Sequence, residues 1–276
     1  MAGDEAGMNL EKEVGSITVE MDSFERFAES VGGLDGWLFR GQRQEAWPIE
    51  SLVQRVARRN ELDVDEYERH CFREFRRRAH SYFQFLPPAD GTAEWLGWMQ
   101  HFGAPTRLVD FTRSPWVAAF IAAEQADNDS AVWAVKRSRV EAPSDDRRDR
   151  NALLGFLIDP ETWSKRRANG SETLPEPDDR DRQRIERIEP FLLHDRLAVQ
   201  KGEFLFAYDL RRPFLEILAE QLSSLADDVR KFVIPHKARK GIMQKLAQMN
   251  CDAVTLFPGA DGFGRALQSW LPPAGR

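Results

Sequence analysis

Two short segments hold most of the residues whose types could do chemistry. In Trp37-Leu38-Phe39-Arg40-Gly41-Gln42, an arginine, a glycine and an amide follow three apolar residues. From Gln100 to Trp116, His101, Arg107, Asp110, Thr112 and Ser114 crowd into a stretch punctuated by Gly103, Pro105 and Pro115. Polar groups gathered where regular elements end are the usual material of a site. The Arg40 guanidinium suits a bidentate grip on phosphate or carboxylate. Gly41 would let a ligand approach the backbone closely, and Gln42 adds an amide. The alternative is a structural Arg40 paired with an internal acid such as Asp110. His101 has the chemistry of a general base, or of a hydrogen-bonding partner for a ribose hydroxyl. Arg107 could hold a second phosphate, and Asp110 could orient either one. The competing reading is a loop-bracing network, because Thr106, Asp110 and Thr112 bond readily to nearby backbone.

A third polar turn, Gln200-Lys201-Gly202-Glu203-Phe204, leads into an apolar run. Glu203 could stabilise an oxocarbenium-like centre, as a carboxylate does in glycosyl transfer, or be an exposed strand charge. Gln200 offers an amide for a ligand's carboxamide or hydroxyl. Ser114 reads most simply as an N-cap, with Pro115 at the first helical position. It lacks the G-x-S-x-G setting of a nucleophile.

Positioning these groups requires several helices and strands. Ser23 can cap a short helix carrying Phe24, Phe27 and Val31, and Trp37 to Arg40 reads as a buried strand. Pro48 opens a basic helix, and a long helix runs from about Asp65 to Phe85. Its Arg73 to Arg78 group lacks interleaved exposed aromatics and is not read as a nucleic-acid surface. Further helices are expected over Thr92 to His101, from Pro115, over Phe214 to Leu225, over Ala238 to Met249 and over Gly264 to Leu271. Strands are expected over Ala131 to Val135, Phe204 to Tyr208 and Lys231 to Pro235, with Ala253 to Phe257 a strand or extended piece. The class is α+β: a helix-rich N-terminal half packed on a small mixed or antiparallel sheet. Residues 1–20 read as a flexible lead-in and 21–276 as one domain. A charged surface insertion is expected at about 138–187, with a short apolar element from Ala152 to Ile158 inside it.

Composition narrows the partners. The chain has 276 residues and a net charge of -6, which argues against broad nucleic-acid binding but leaves room for local basic clusters. No dinucleotide-binding glycine pattern, P-loop or metal-ligand spacing occurs, so no metal is expected. Cys71 and Cys251 fit no disulfide framework and read as buried free thiols. With no targeting segment and no run long enough to span a membrane, a cytoplasmic location is expected.

The quoted segments resemble the FRG domain family, named for its Phe-Arg-Gly motif. The resemblance covers Trp37 to about Leu267. It rests on Phe39 to Gln42, Gln100 to Phe120, Gln200 to Phe204 and Leu256-Phe257-Pro258-Gly259. At the last place the family often has an acidic residue after the proline; here Gly259 stands there and Asp261 follows. The motif order is similar to a distant version of the ADP-ribosyltransferase pattern, which implies a core of that type. Arg40 would match the arginine that holds NAD, Thr112 or Ser114 the pocket-shaping strand, and the Gln200–Glu203 turn the strand that presents the catalytic glutamate. Gly202 would stand in that glutamate's place, with Glu203 displaced by one.

The resemblance implies an enzyme that binds NAD or a related nucleotide and transfers or removes ADP-ribose, as a bacterial toxin, effector or phage-defence component. NAD would be substrate, Glu203 and His101 catalytic, and Arg40, Gly41, Gln42, Arg107, Asp110, Thr112, Ser114 and Gln200 ligand-binding. A protein target or regulatory partner could join it. Two alternatives stay open: a non-catalytic nucleotide-sensing or protein-interaction module, and a metal-independent nuclease or hydrolase built on His101 and Asp110. Whether Glu203 points to the same cavity as Arg40 discriminates the first two.

Overall fold

The computed structural model describes residues 10–88, 91–140, 183–188, 195–222 and 224–269. Its strands are β1 (Thr18–Glu20), β2 (Trp37–Gln42), β3 (Val109–Thr112), β4 (Ser130–Lys136), β5 (Ile185–Ile188), β6 (Gly202–Ala207) and β7 (Val229–Ile234). They form one mixed sheet in the order β1-β7-β4-β2-β3-β6-β5. Only the β1–β7 pair is parallel; the other neighbours run antiparallel. With the helices this makes the α+β class expected from the sequence. The β2–β4 ladder spans six residue pairs, whereas β2 and β3 meet only at Phe39 and Thr112. The sheet is thus two ladders joined at a narrow central seam.

The helices are α1 (Phe24–Val31), α2 (Leu52–Arg59), α3 (Val64–Ala79), α4 (Thr92–His101), α5 (Pro115–Ala123), α6 (Asp195–Val199), α7 (Phe214–Gln221), α8 (Leu225–Asp228), α9 (His236–Gln248), α10 (Ala253–Leu256) and α11 (Ala260–Ser269). Side chains alternate between the faces of a strand, and the sheet's central strands are apolar on both. One face packs Phe39, Val132 and Phe232 against Phe27 of α1, Val117 and Phe120 of α5 and Ile242 of α9. On that same face Phe204 and Phe206 pack with Phe72 of α3 and with Trp95 and Met99 of α4. These two helix groups flank the seam. The opposite face packs Leu38, Phe111, Trp133 and Leu205 against Phe214, Ile217 and Leu218 of α7.

Gly41 serves this packing. A Cβ added there would stand 2.2 Å from the Ala118 carbonyl oxygen and 2.6 Å from the Ala122 amide nitrogen. The missing side chain lets α5 lie directly on β2, so the close approach is filled by the protein's own backbone and not by a ligand.

Several boundaries differ from the sequence reading. Helix α2 starts at a Ser51–Gln54 capping box, not at Pro48. Helix α3 ends at Ala79, and Tyr82 and Phe85 lie beyond it, exposed. Residues 253–256 are helical, because Asp252 caps them and outweighs their β-branched residues. The lead-in is helical over 10–16 and enters the sheet as β1, anchored by buried Ile17 and Met21. Strand β5 lies within the range read as insertion, and the expected apolar element at 152–158 lies outside the described residues. Four of the seven strands fall before residue 137.

Candidate functional site

Asp110 stands at the middle of the seam. It pairs with Phe204 on β6, so its side chain leaves the face that carries the two helix groups, and it is exposed between them. Helix α4 brings its last turn to this point. Gly103, with φ +76°, closes that helix: its N–H bonds the Gln100 carbonyl at 3.1 Å, and the Ala104 N–H bonds that of Met99 at 2.8 Å. That is a Schellman cap, for which glycine is the favoured residue. The cap fixes Gln100 and His101 at the helix end. Gln100 donates to Asp110 Oδ2 at 2.9 Å and accepts from the Thr106 hydroxyl at 2.6 Å.

Two guanidinium groups are attracted by the charge of Asp110, although Arg40 leaves the opposite face of the sheet from the Asp110 side chain. Arg40 donates from Nη1 to the Asp110 carbonyl oxygen at 2.9 Å across the seam. Burial pushes its pKa down to about 10, against the attraction of Asp110. Its Nε is buried without a hydrogen-bond partner among the described residues. Arg196 on α6 is also lowered by burial and likewise attracted by Asp110. Its guanidinium lies 5.0 Å from the Phe257 ring centroid, and Arg265 of α11 covers the same ring at 3.9 Å. The His101 pKa is lowered by burial and then by Arg196, which favours the neutral imidazole. Several shifted groups close to one residue are a recognised mark of a functional site.

Arg40, His101 and Asp110 are therefore brought together, and the other expected residues are placed elsewhere. Arg107 is fully buried and grips Glu68 of α3: its N–H bonds Oε1 at 2.8 Å, its Nε bonds Oε2 at 2.9 Å, and Nη1 reaches the Tyr208 carbonyl at 3.2 Å. It ties α3 to β6 from inside the core instead of facing a phosphate. Gln42 is buried, donating to the Pro48 carbonyl and accepting from the Trp133 indole. Thr112 donates to the Gln200 carbonyl at 2.6 Å, Gln200 donates to the Leu256 carbonyl at 2.9 Å, and Ser114 caps α5. These last three brace β3, the turn before β6 and α10.

Glu203 is 3% exposed and meets Arg113, Arg137 and Arg187 at 3.1 to 3.3 Å. Phe39, Thr112 and Gly202 form one row across β2, β3 and β6. Arg40 and Glu203 each lie one residue beyond that row in the same direction. Both side chains therefore leave the same face, two strand spacings or roughly 10 Å apart. Gly202 points the other way, where a Cβ would stand 2.3 Å from Leu197 Cδ1.

Sequence reasoning missed Arg196 and the roles of Gln100 and Glu68. Gln100 adjoins His101 within the quoted segment, but Arg196 carries no motif signal. Among the described residues no group of three or more His, Cys, Asp or Glu could hold a metal ion, and no helix is long and apolar enough to cross a membrane.

Residues 35–131 match the family model of the FRG domain. The match is narrower than the resemblance drawn from the motifs: it holds Arg40, His101 and Asp110 but ends before Arg196 and the Gln200–Glu203 turn. No curated protein and no solved structure matches the chain, and nothing in these comparisons supports a similarity to ADP-ribosyltransferases.

Proposed function

We propose that this protein binds a nucleotide-type ligand, with NAD the first to test, in the Asp110 cluster. The observation that carries the reading is the exposed Asp110 at the seam, its carboxylate held by Gln100 at 2.9 Å and its carbonyl by the desolvated Arg40 at 2.9 Å, with the desolvated Arg196 attracted to it. Arginines removed from water but not fully engaged bind phosphoryl oxygens well. A carboxylate beside them suits the hydroxyls of a ribose. A neutral His101 adds one donor and one acceptor at the same place. Arg40 and Arg196 would hold phosphate, Asp110 and Gln100 a ribose, and His101 a hydroxyl or base edge.

A second reading, transfer or removal of ADP-ribose with Glu203 as the catalytic carboxylate, is favoured by one observation. Glu203 leaves the same face as Arg40, on strands two apart. Its three arginine partners favour binding without turnover, because they keep the carboxylate engaged.

The test is titration of the purified protein with NAD and ADP-ribose, alongside chromatographic measurement of NAD consumption. The binding reading expects both ligands to bind, Arg40→Ala and Asp110→Asn to abolish binding, and NAD to survive. Consumption of NAD that Glu203→Gln abolishes while binding persists would favour the second reading. No binding of either ligand would remove both.

A further inference from the structure

The C-terminal turn of α3 and the residues after it form a surface that the Asp110 cluster does not use. Arg73, Arg77 and Arg78 stand out from this helix, sharing Glu74 as their common carboxylate partner. Three cations around one anion leave a local excess of positive charge on an otherwise acidic protein. The helix carries no lysine; its cations are guanidinium groups, which grip phosphate bidentately and stack on flat rings. Arg76 already lies over the Phe72 and Trp95 rings at 5.2 and 5.1 Å.

Aromatic side chains continue from the helix end. The Tyr82 and Phe83 N–H groups both bond the Ala79 carbonyl, which keeps them within one turn of Arg77 and Arg78. Tyr82 and Phe85 are each 76% exposed, and Phe102 is 53% exposed. Ring contacts form a chain: Tyr82 to Phe83 at 6.4 Å, Phe83 to Phe102 at 4.7 Å, and Phe102 to His101 at 4.7 Å. The exposed aromatics that the sequence reading found lacking beside the basic helix are thus supplied by the turn after it and by the end of α4.

We propose that this strip binds single-stranded nucleic acid, with bases stacked on Tyr82, Phe85 and Phe102 and phosphates held by Arg73, Arg77 and Arg78. Stacking platforms beside a positive track are what such binding requires, and every base offers a flat face to them. The strip ends against His101, so it would lead a strand toward the Asp110 cluster. The proposal does not depend on which ligand occupies that cluster.

The probe is a fluorescently labelled oligothymidylate, read by anisotropy, with vesicles of mixed neutral and anionic phospholipid run in parallel. Tyr82→Ala and Phe102→Ala should each weaken oligonucleotide binding about fivefold or more. The Arg77→Glu, Arg78→Glu double variant should weaken it and flatten its salt dependence. Arg40→Ala should leave it unchanged, and Tyr82→Ala and the Arg77→Glu, Arg78→Glu variant should leave NAD titration unchanged. Unaltered melting temperatures separate these effects from misfolding. The proposal is overturned if the oligonucleotide does not bind, if binding is lost in Arg40→Ala but kept in the strip variants, or if the strip binds vesicles and not the oligonucleotide.

Discussion

Arg40 Nη1 and the Asp110 carbonyl oxygen lie 2.9 Å apart, and this bond crosses the narrowest junction of the sheet. Strands β2 and β3 share a single residue pair, so the Arg40 side chain spans a gap that a full ladder would close. The bond uses the backbone of Asp110 and leaves its carboxylate to Gln100 and to solvent. Arg40→Lys keeps the charge but not the fork, and Lys is a poor substitute where donors must be placed in a plane. We expect Arg40→Lys to weaken nucleotide binding at least about tenfold, by roughly 1.5 kcal/mol or more, with a melting temperature near that of the unsubstituted protein. Calorimetric titration and thermal unfolding check this; equal affinity would contradict the role given to Arg40.

Arg107 and Glu68 are a core ion pair. Removing one partner leaves the other charged and buried, which typically costs about 3–5 kcal/mol. Glu68→Ala and Arg107→Ala should each lower the urea midpoint strongly. The double replacement Glu68→Leu, Arg107→Met should recover much of the loss. A loss below about 1 kcal/mol in either single variant would mean that the pair is solvated.

Gly41→Ala should destabilise by about 1–3 kcal/mol, because the added Cβ meets rigid helix backbone at Ala118 and Ala122. Gly33→Ala is the control: nothing lies within 4 Å of its added Cβ, and the change should stay within about 0.5 kcal/mol. Urea unfolding of both compares them directly. Equal stability in the two would show that α5 does not rest on Gly41.

Much of the fold was legible where the signal is local. Ser23 and Ser114 mark the starts of α1 and α5 by side-chain caps, and the apolar run at Trp37 marks β2. Helix α10 was not, because Val254 and Thr255 favour strands and only the cap at Asp252 decides otherwise. For the site, Arg40, His101 and Asp110 could be picked out because they crowd into two motifs. The fate of Arg107 could not, because its partner is 39 residues away on a helix whose inward face shows only in three dimensions. Arg196 likewise owes its place to α6 packing beside the seam, far from either motif.

The lowered His101 pKa fixes the sign of a pH effect. Burial and Arg196 make the folded imidazole harder to protonate than the unfolded one, whose ordinary value is 6.5. As pH falls below that value the unfolded chain takes up the proton first. Its contribution is therefore present above 6.5 and lost as pH falls through the folded value. The drop in urea midpoint between about pH 7 and pH 5 should be smaller in His101→Gln than in the unsubstituted protein. An equal drop would contradict the burial of this ring.

The thiols should be slow to react. Burial pushes the Cys251 pKa up to about 12 and raises that of Cys71, so little thiolate exists near neutrality. A disulfide exchange reagent should titrate Cys251 only after denaturant is added. Rapid reaction in native buffer would place Cys251 at the surface.

The central claim is that the ligand site is the Asp110 cluster, and Arg196 is the residue that tests it most directly, since no sequence motif marks it. Calorimetric titration of NAD and ADP-ribose into the Arg196→Ala protein is the measurement. The account predicts that the unsubstituted protein binds and that Arg196→Ala loses at least about tenfold in affinity while keeping its melting temperature. Unchanged affinity in a folded Arg196→Ala protein would contradict it.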